Sequence, residues 1–220
     1  IEYQNKLVRF IENHDEQRIA SKFFATHAFD AIPGMVVTAT MNSGPLLIYF
    51  GQEVGEKAED AEGFSTADGR TTIFDYWGVP AHQAWMNDGK FDGGKLTDEQ
   101  KKLRNFYKTL LKICTENKAV REGGFYELQQ AQQHNHYYND NLRFSYLRFT
   151  ADEKLLIVCN FDKQHSFEGT IVIPEEVIKQ LSINLNSDAI DLLNDKNLKF
   201  NNQGVQVKLP PMQACIIKLN

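Results

Sequence analysis

Three consecutive polar side chains, those of Asn13, His14 and Asp15, follow an apolar run over residues 7–11 and one intervening glutamate, Glu12. An amide, an imidazole and a carboxylate in one stretch can donate and accept several hydrogen bonds. Short apolar runs of this kind are typical of strands buried on both faces. In parallel α/β sheets the chemistry gathers where such strands end. The position of these three side chains therefore indicates a site.

A second apolar run, residues 45–50, ends in the same way, in Gly51, Gln52 and Glu53. With a helical segment between them, the two runs would form a βαβ unit whose polar ends meet at one cleft. Gln52 and Glu53 would brace the floor of that cleft or pair with a basic group. Side chains alternate along a strand, so one of Glu12 and Asn13 would point away from the substrate. That residue would support the side chains that contact the substrate.

These strand ends resemble the last two barrel strands of the α-amylase family of glycoside hydrolases. The resemblance is carried by residues 10–15, 45–53 and 69–77, and it continues into the tail. The Asn-His-Asp motif is short, but its order and spacing relative to the second strand and to a β-rich tail make the resemblance fairly specific. It covers essentially the whole chain and corresponds to the C-terminal portion of such an enzyme.

The resemblance implies a retaining mechanism whose nucleophile and general acid lie on earlier strands, outside this chain. Asp15 matches the third carboxylate of that site, with a catalytic role. It would accept hydrogen bonds from hydroxyls of the sugar at the cleavage point, and these bonds strengthen as the ring distorts. His14 would donate to a sugar hydroxyl at the same position. Arg70 follows a long loop where the family often places an arginine near the cleaved sugar.

Each candidate also has a structural interpretation. Asp15 would cap a helix that starts at Glu16, His14 would be a buried histidine bonded to the backbone, and Arg18 would form a surface salt bridge. Aromatic side chains can offer flat faces to sugar rings but more often belong to a core. Those in question are Tyr76, Trp77 and Trp85.

Composition excludes some functions. The net charge of −5 gives no basic field for nucleic acid, and no apolar stretch approaches the roughly 20 residues of a membrane span. The three cysteines are far apart, which predicts buried thiols without disulfides. His134 and His136 lack a Cys or carboxylate partner at ligand spacing, so residues 129–141 are predicted to be a solvated loop. We expect no cofactor in this region. A calcium site elsewhere in the parent enzyme is compatible with the resemblance.

Local patterns predict the secondary structure. Residues 18–28 have the pattern of an amphipathic helix, and a second helical piece over residues 35–41 follows Pro33-Gly34. Thr97 and Gln100 form a capping box at the start of a helix of about five turns. From Gly123 onward the period is that of strands, with a short helix through Leu181. The predicted strands are 125–128, 143–149, 154–160, 167–173, 204–209 and 212–219.

The predicted fold class is α/β plus all-β. Residues 1–120 would hold the last two β/α units of a (β/α)8 barrel, and residues 121–220 an antiparallel Greek-key β-sandwich. A whole barrel needs about 250 residues, so we expect the C-terminal part of a longer enzyme. Its partners would be an α-glucan or malto-oligosaccharide substrate and the N-terminal remainder of the barrel. Open sheet edges could also pair with another copy.

The expected function is therefore that of the C-terminal fragment of an α-glucan-acting hydrolase in carbohydrate metabolism, with starch as the type of substrate. The fragment alone would be inactive, because the nucleophile and the general acid are missing. Two alternatives remain open. One is a glucan transferase or isomerase of the same family, which differs on the acceptor side of the cleft. The other is a non-catalytic carbohydrate-binding module.

Overall fold

The computed structural model describes residues 3–59, 67–74 and 78–219. The chain divides into two compact units. The first, which we name the β-rich unit, comprises Ile1–Leu7, Ile32–Gly44 and Leu110–Asn220; the second, the loop-rich unit, comprises Val8–Ala31 and Pro45–Thr109. The domain division predicted after residue 120 stays a prediction.

The described residues form five α-helices. They are α1 (Ile32–Thr40), α2 (Pro80–Met86), α3 (Asp98–Glu116), α4 (Lys118–Glu122) and α5 (Glu175–Leu181). The predicted capping box is present at α3: Thr97 N–H donates to Gln100 Oε1 at 2.9 Å, and Gln100 N–H donates to Thr97 Oγ1 at 3.2 Å. The 19-residue length of α3 confirms the predicted helix of about five turns. None of these helices is long and apolar enough to cross a membrane, within the described part of the chain.

Two antiparallel sheets lie in the β-rich unit. Their strands are β1 (Gly124–Glu127), β2 (Arg143–Phe149), β3 (Lys154–Asn160), β4 (Phe167–Val172), β5 (Ala189–Asp191), β6 (Lys196–Leu198), β7 (Phe200–Asn201), β8 (Gly204–Leu209) and β9 (Gln213–Leu219). One sheet has the order β1-β2-β3-β9-β5-β6 and the other the order β4-β8-β7. The predicted antiparallel strands and the short helix before residue 181 are confirmed. The sandwich and Greek-key descriptions stay predictions.

One apolar core joins the two sheets. Leu156 and Ile217 from the larger sheet pack in the same cluster as Phe167 and Val207 from the smaller one. Strand β3 is buried on both faces, because α1 packs against β3 and β9. This explains why β3 reads as a continuous apolar run instead of an alternating one.

None of the three cysteines forms a disulfide. Cys159 and Cys215 lie in strands β3 and β9 and are completely buried, and burial raises the pKa of both thiols. Cys114 is half-buried. The predicted thiols without disulfides are confirmed, and two of the three are buried as expected.

The predicted helix over residues 18–28 is wrong, because the structure forms turns there. The N–H groups that a helix would bond to the carbonyl four residues earlier close turns instead, as in Ser21 N–H to the Arg18 carbonyl at 3.0 Å and Phe24 N–H to the Ser21 carbonyl at 3.1 Å. The stretch is also held at its start by other segments. Arg18 N–H donates to the Gly69 carbonyl at 2.7 Å, and Ile19 N–H donates to a carboxylate oxygen of Glu12 at 2.7 Å. The second predicted piece is confirmed as α1, although Pro33 and Gly34 lie inside this helix and not before it.

The two predicted strands at residues 7–11 and 45–50 are present only as a single parallel bridge between Arg9 and Leu46. Arg9 N–H donates to the Pro45 carbonyl, and Leu47 N–H donates to the Arg9 carbonyl, both at 2.9 Å. Pro45 has no N–H to extend the ladder. The expectation of strands buried on both faces is also wrong, since Val8, Phe10 and Leu47 are exposed.

Arg148 on β2 holds helix ends in the β-rich unit. Its guanidinium donates to the carbonyls of Ala119, Met41, Val120 and Gly123 at 2.7–3.0 Å, and to Ser43 Oγ at 3.1 Å. Met41 directly follows α1, and Val120 lies within α4. Carbonyls near helix C-termini lack intrahelical partners, and a cation placed there satisfies them.

Replacing Arg148 with Met will lower the free energy of unfolding by about 3 kcal/mol, because the buried carbonyls lose their donors. Urea denaturation followed by circular dichroism measures the change. The exposed Arg121→Met on α4 is the matched control and should shift stability by less than about 0.5 kcal/mol. Equal effects of the two substitutions would contradict this role of Arg148.

Candidate functional site

A buried ion pair between Glu12 and Arg18 lies at the centre of the loop-rich unit. Arg18 Nη1 donates to Glu12 Oε2 at 2.9 Å, and both side chains are almost entirely inaccessible to solvent, at 0% and 3% exposure. The second carboxylate oxygen of Glu12 accepts the Ile19 N–H. The pair therefore closes the short loop that carries Asn13, His14 and Asp15.

Arg18 also reaches the end of the second predicted strand. Its Nη2 donates to the Phe50 carbonyl at 2.8 Å and to Thr71 Oγ1 at 2.6 Å, and its Nε donates to Thr71 Oγ1 at 3.0 Å. The guanidinium carbon lies 4.1 Å from the centre of the Tyr49 ring. The planar, multi-donor shape of arginine suits this position, because one cation serves three separate segments.

Burial raises the pKa of Glu12, and the Arg18 charge together with the Ile19 N–H opposes this shift. A carboxyl whose pKa is higher in the folded than in the unfolded chain contributes stability only at low pH, and this contribution is lost as the pH rises through the folded pKa. The pair is thus weak as a source of net stability. Its effect is to fix geometry.

The predicted Asn-His-Asp motif forms a tight turn. Asn13 Oδ1 accepts the backbone N–H groups of Asp15 and Glu16 at 2.8 and 2.9 Å. Asn13, and not Asp15, therefore caps the backbone N–H groups of this turn. The alternative in which Asp15 caps a helix is wrong, because no helix begins at Glu16. The Asp15 side chain is left 73% exposed and His14 49% exposed, with 3.5 Å between Asp15 Oδ2 and His14 Nε2.

Arg70 lies close to this turn. It pairs with Asp68, whose carboxylate oxygens accept Arg70 Nε at 2.9 Å and the Arg70 backbone N–H at 3.0 Å. The hydrogen bond that Arg70 donates to the Asp68 carboxylate raises the pKa of Arg70, and the charges of Asp68, Asp15 and Glu16 add to this. The carbonyl of Asp68 accepts Gln17 Nε2 at 3.1 Å. Asp15, His14 and Arg70 thus offer an acceptor and donors in one region.

Gln52 and Glu53 follow the second run, as expected. Gln52 is buried; its Oε1 accepts the Tyr49 N–H at 3.2 Å and its Nε2 donates to Tyr107 on α3 at 3.0 Å. Glu53 is half-buried. Burial lowers the pKa of His82, and the negative charge of Glu53 opposes this shift. Gln52 thus links the end of the second run to α3; its role in bracing a cleft stays a prediction.

Two of the candidate aromatic platforms, Tyr76 and Trp77, lie outside the described residues. Trp85 is half-buried and contacts His82 and Phe91, with ring centroids 5.6 and 5.7 Å apart. His134 and His136 are exposed in turns. Within the described ranges, no group of three His, Cys, Asp or Glu side chains could hold a metal ion.

Thr71 was not among the predicted site residues, and the expectation of a surface salt bridge for Arg18 is wrong, since Arg18 is buried and organises the turn. A signal was present: Arg18 stands directly before the apolar pair Ile19-Ala20, where a surface charge is out of place. The three partners of its guanidinium, at residues 12, 50 and 71, are too far apart in sequence for a spacing rule to reveal.

No family model and no curated protein sequence matches the chain. Solved structures do match its fold. The α-amylase from Geobacillus thermoleovorans, solved with acarbose, gives a TM-score of 0.64 at 18% identity over 98% of this chain and 39% of its own. The chain has the fold of the C-terminal part of α-amylase-family enzymes. This confirms, for the fold, the resemblance carried by the sequence.

Two further amylase-type structures match in the same way. AmyP, solved with maltotriose, gives a TM-score of 0.64 at 18% identity, covering 97% of this chain and 41% of its own. The trehalose-6-phosphate hydrolase of Bacillus licheniformis gives 0.56 at 18% identity, covering 96% and 43%. The chain thus spans 39–43% of the length of these three matched structures.

In this amylase-type fold, Arg18→Met will lower the free energy of unfolding by about 3–5 kcal/mol, because it leaves the Glu12 carboxylate buried and unpaired. The double variant Glu12→Gln/Arg18→Met will lose less than the sum of the two single variants, since it removes both charges. Urea denaturation of all four proteins measures the coupling. The exposed pair Lys179 and Glu175 supplies the control: Lys179→Met should change stability by less than about 1 kcal/mol. Additive effects of the Glu12 and Arg18 substitutions would contradict the coupling.

Proposed function

We propose that this chain is the C-terminal part of a retaining glycoside hydrolase that acts on α-glucans or malto-oligosaccharides. The observation that supports this most is the exposed Asp15–His14 pair, displayed by a turn that a buried ion pair anchors, in a chain with an amylase-type fold. The matched structures solved with acarbose, maltotriose and maltose support the class of substrate.

Asp15 would act on the sugar at the cleavage point. Its carboxylate accepts hydrogen bonds from ring hydroxyls, and these bonds strengthen as the ring becomes oxocarbenium-like, which supplies several kcal/mol to the transition state. His14 donates to a neighbouring hydroxyl, and Arg70 adds positive charge near Asp15. The nucleophile and the general acid come from the remainder of the enzyme.

The finer fold belongs to the same proposal. Residues 1–120 would be the last two β/α units of a barrel, with the Arg9–Leu46 bridge as the start of their parallel pairing. Residues 121–220 would be a Greek-key sandwich. Val8, Phe10 and Leu47 lie beside the bridge and are exposed although they are apolar. A group of exposed apolar side chains favours contact with a partner, and we propose that the N-terminal remainder of the barrel covers them.

The 220-residue chain should bind maltoheptaose weakly, with Asp15 among the contacts. Asp15→Ala should weaken binding about tenfold, because charge-assisted hydrogen bonds contribute about 1.5–3 kcal/mol. Isothermal titration calorimetry measures the affinity. The matched control is Asp140→Ala, an exposed aspartate of the β-rich unit, which should leave affinity unchanged. Undiminished binding by Asp15→Ala would favour the carbohydrate-binding module instead.

The purified chain should not hydrolyse starch, because the two groups that break the glycosidic bond are proposed to lie elsewhere. A reducing-sugar assay over hours, with a commercial α-amylase as the positive control, tests this. Turnover that disappears in Asp15→Ala would show that this chain carries its own nucleophile and general acid. It would overturn the proposal that these two groups lie in the remainder of the enzyme.

A further inference from the structure

A cavity of about 280 Å³ lies in the loop-rich unit, and its lining does not include Asn13, His14, Asp15 or Arg70. It is bordered by the end of α2, the turn that follows it and the first half of α3. Its lining includes two aromatic and three basic side chains, those of Trp85, Phe91, Lys101, Arg104 and Lys108. The combination of flat apolar walls and concentrated positive charge is unusual in a protein with a net charge of −5.

The three cations come from one face of α3. Positions 101, 104 and 108 are three and four residues apart, which brings their side chains together on a helix. Within residues 3–59, 67–74 and 78–219, none of the three forms an ion pair with a carboxylate. Asp92 also lines the cavity and adds one negative charge, so these four side chains leave a surplus of two positive charges. Asp92 Oδ1 accepts Asn87 Nδ2 at 2.7 Å and the Gly94 N–H at 2.9 Å.

Arg104 is the most firmly positioned of these three cations. Its guanidinium carbon lies 5.5 Å from the centre of the Trp85 ring. Its Nε is buried and has no hydrogen-bond partner among the described residues. A partly desolvated cation attracts an anion more strongly than a fully hydrated one does, because the local dielectric constant is lower. Unsatisfied buried donors are rare in folded proteins and call for an explanation.

The aromatic pair gives the cavity an apolar side. The Trp85 and Phe91 ring centroids are 5.7 Å apart and inclined at 61°. Phe91 is 57% exposed although it is large and apolar. A ligand that brings a flat apolar face together with its anionic group would cover this ring while meeting the cations.

We propose that this cavity binds a phosphate monoester. A dianion with three terminal oxygens can accept from three cations at once, whereas a carboxylate offers one charge and two oxygens. The arginine fork matches phosphate geometry. The organic part of the ester lies against Trp85 and Phe91. The inference rests on residues 85–108 and is independent of the proposed glucan hydrolysis.

Tryptophan fluorescence tests the site. The sequence has two tryptophans, so Trp77→Phe leaves Trp85 as the single reporter. Titrations use inorganic phosphate, glucose 6-phosphate and glucose at low ionic strength. Both phosphates should change the emission of Trp85, the sugar phosphate with the higher affinity, and glucose should not. Raising the salt to about 0.5 M should weaken binding, because the attraction is electrostatic.

Variants in the same background assign the contact. Arg104→Gln should weaken glucose 6-phosphate binding about tenfold or more, and Arg104→Lys should give an intermediate loss because it keeps the charge without the fork. Lys102→Gln is the matched control: it removes the same charge from the same helix but does not line the cavity, so the affinity should fall less than twofold.

Three results would overturn the proposal. They are saturation by glucose at the same concentrations as by glucose 6-phosphate, an equal loss of affinity in Lys102→Gln and Arg104→Gln, and the absence of any phosphate-dependent change in the Trp85 emission.

Discussion

Burying a whole guanidinium inside the loop-rich unit is the constraint on which the site depends. Arg18 has no accessible surface, so its charge must be balanced within the protein, and Glu12 balances it at 2.9 Å. The Nε and Nη2 groups of Arg18 donate to the Phe50 carbonyl and to Thr71 Oγ1. Because removing a charge from water costs several kcal/mol, such a pair contributes little net stability. It does fix the relative positions of three distant segments.

The turn is therefore fixed at both of its ends and exposed in the middle. Glu12 and Arg18 bracket the turn, Asn13 shapes it through its side-chain oxygen, and Asp15 and His14 project into solvent. A group that must contact a ligand needs exposure, yet it must also be held in place, and this arrangement meets both needs. The β-rich unit follows a different principle, with an apolar core between its sheets and with buried polar contacts, those of Arg148 among them, at its helix ends.

Sequence reasoning succeeded where the determining interactions are local. The capping box of α3 and the strands β2, β3 and β8 follow from patterns within a few residues. It failed where distant residues decide. Residues 18–28 look helical, but the amides of Arg18 and Ile19 bond to Gly69 and Glu12, and the stretch that follows forms turns. Helix α2 has no local cap, since the carboxylate of Glu56 accepts the Ala81 N–H from 25 residues away. Strands β5 to β7 are two or three residues long, too short for a period to show.

The most direct test of the account maps where a malto-oligosaccharide binds. Maltoheptaose is titrated into the ¹⁵N-labelled 220-residue chain, and amide chemical shifts are followed by nuclear magnetic resonance. The account predicts that the largest shifts occur at Asn13 to Asp15 and at Arg70, while the central strands β3 and β9 stay unchanged. Shifts confined to the sheets of the β-rich unit, with none at residues 13–15, would contradict it.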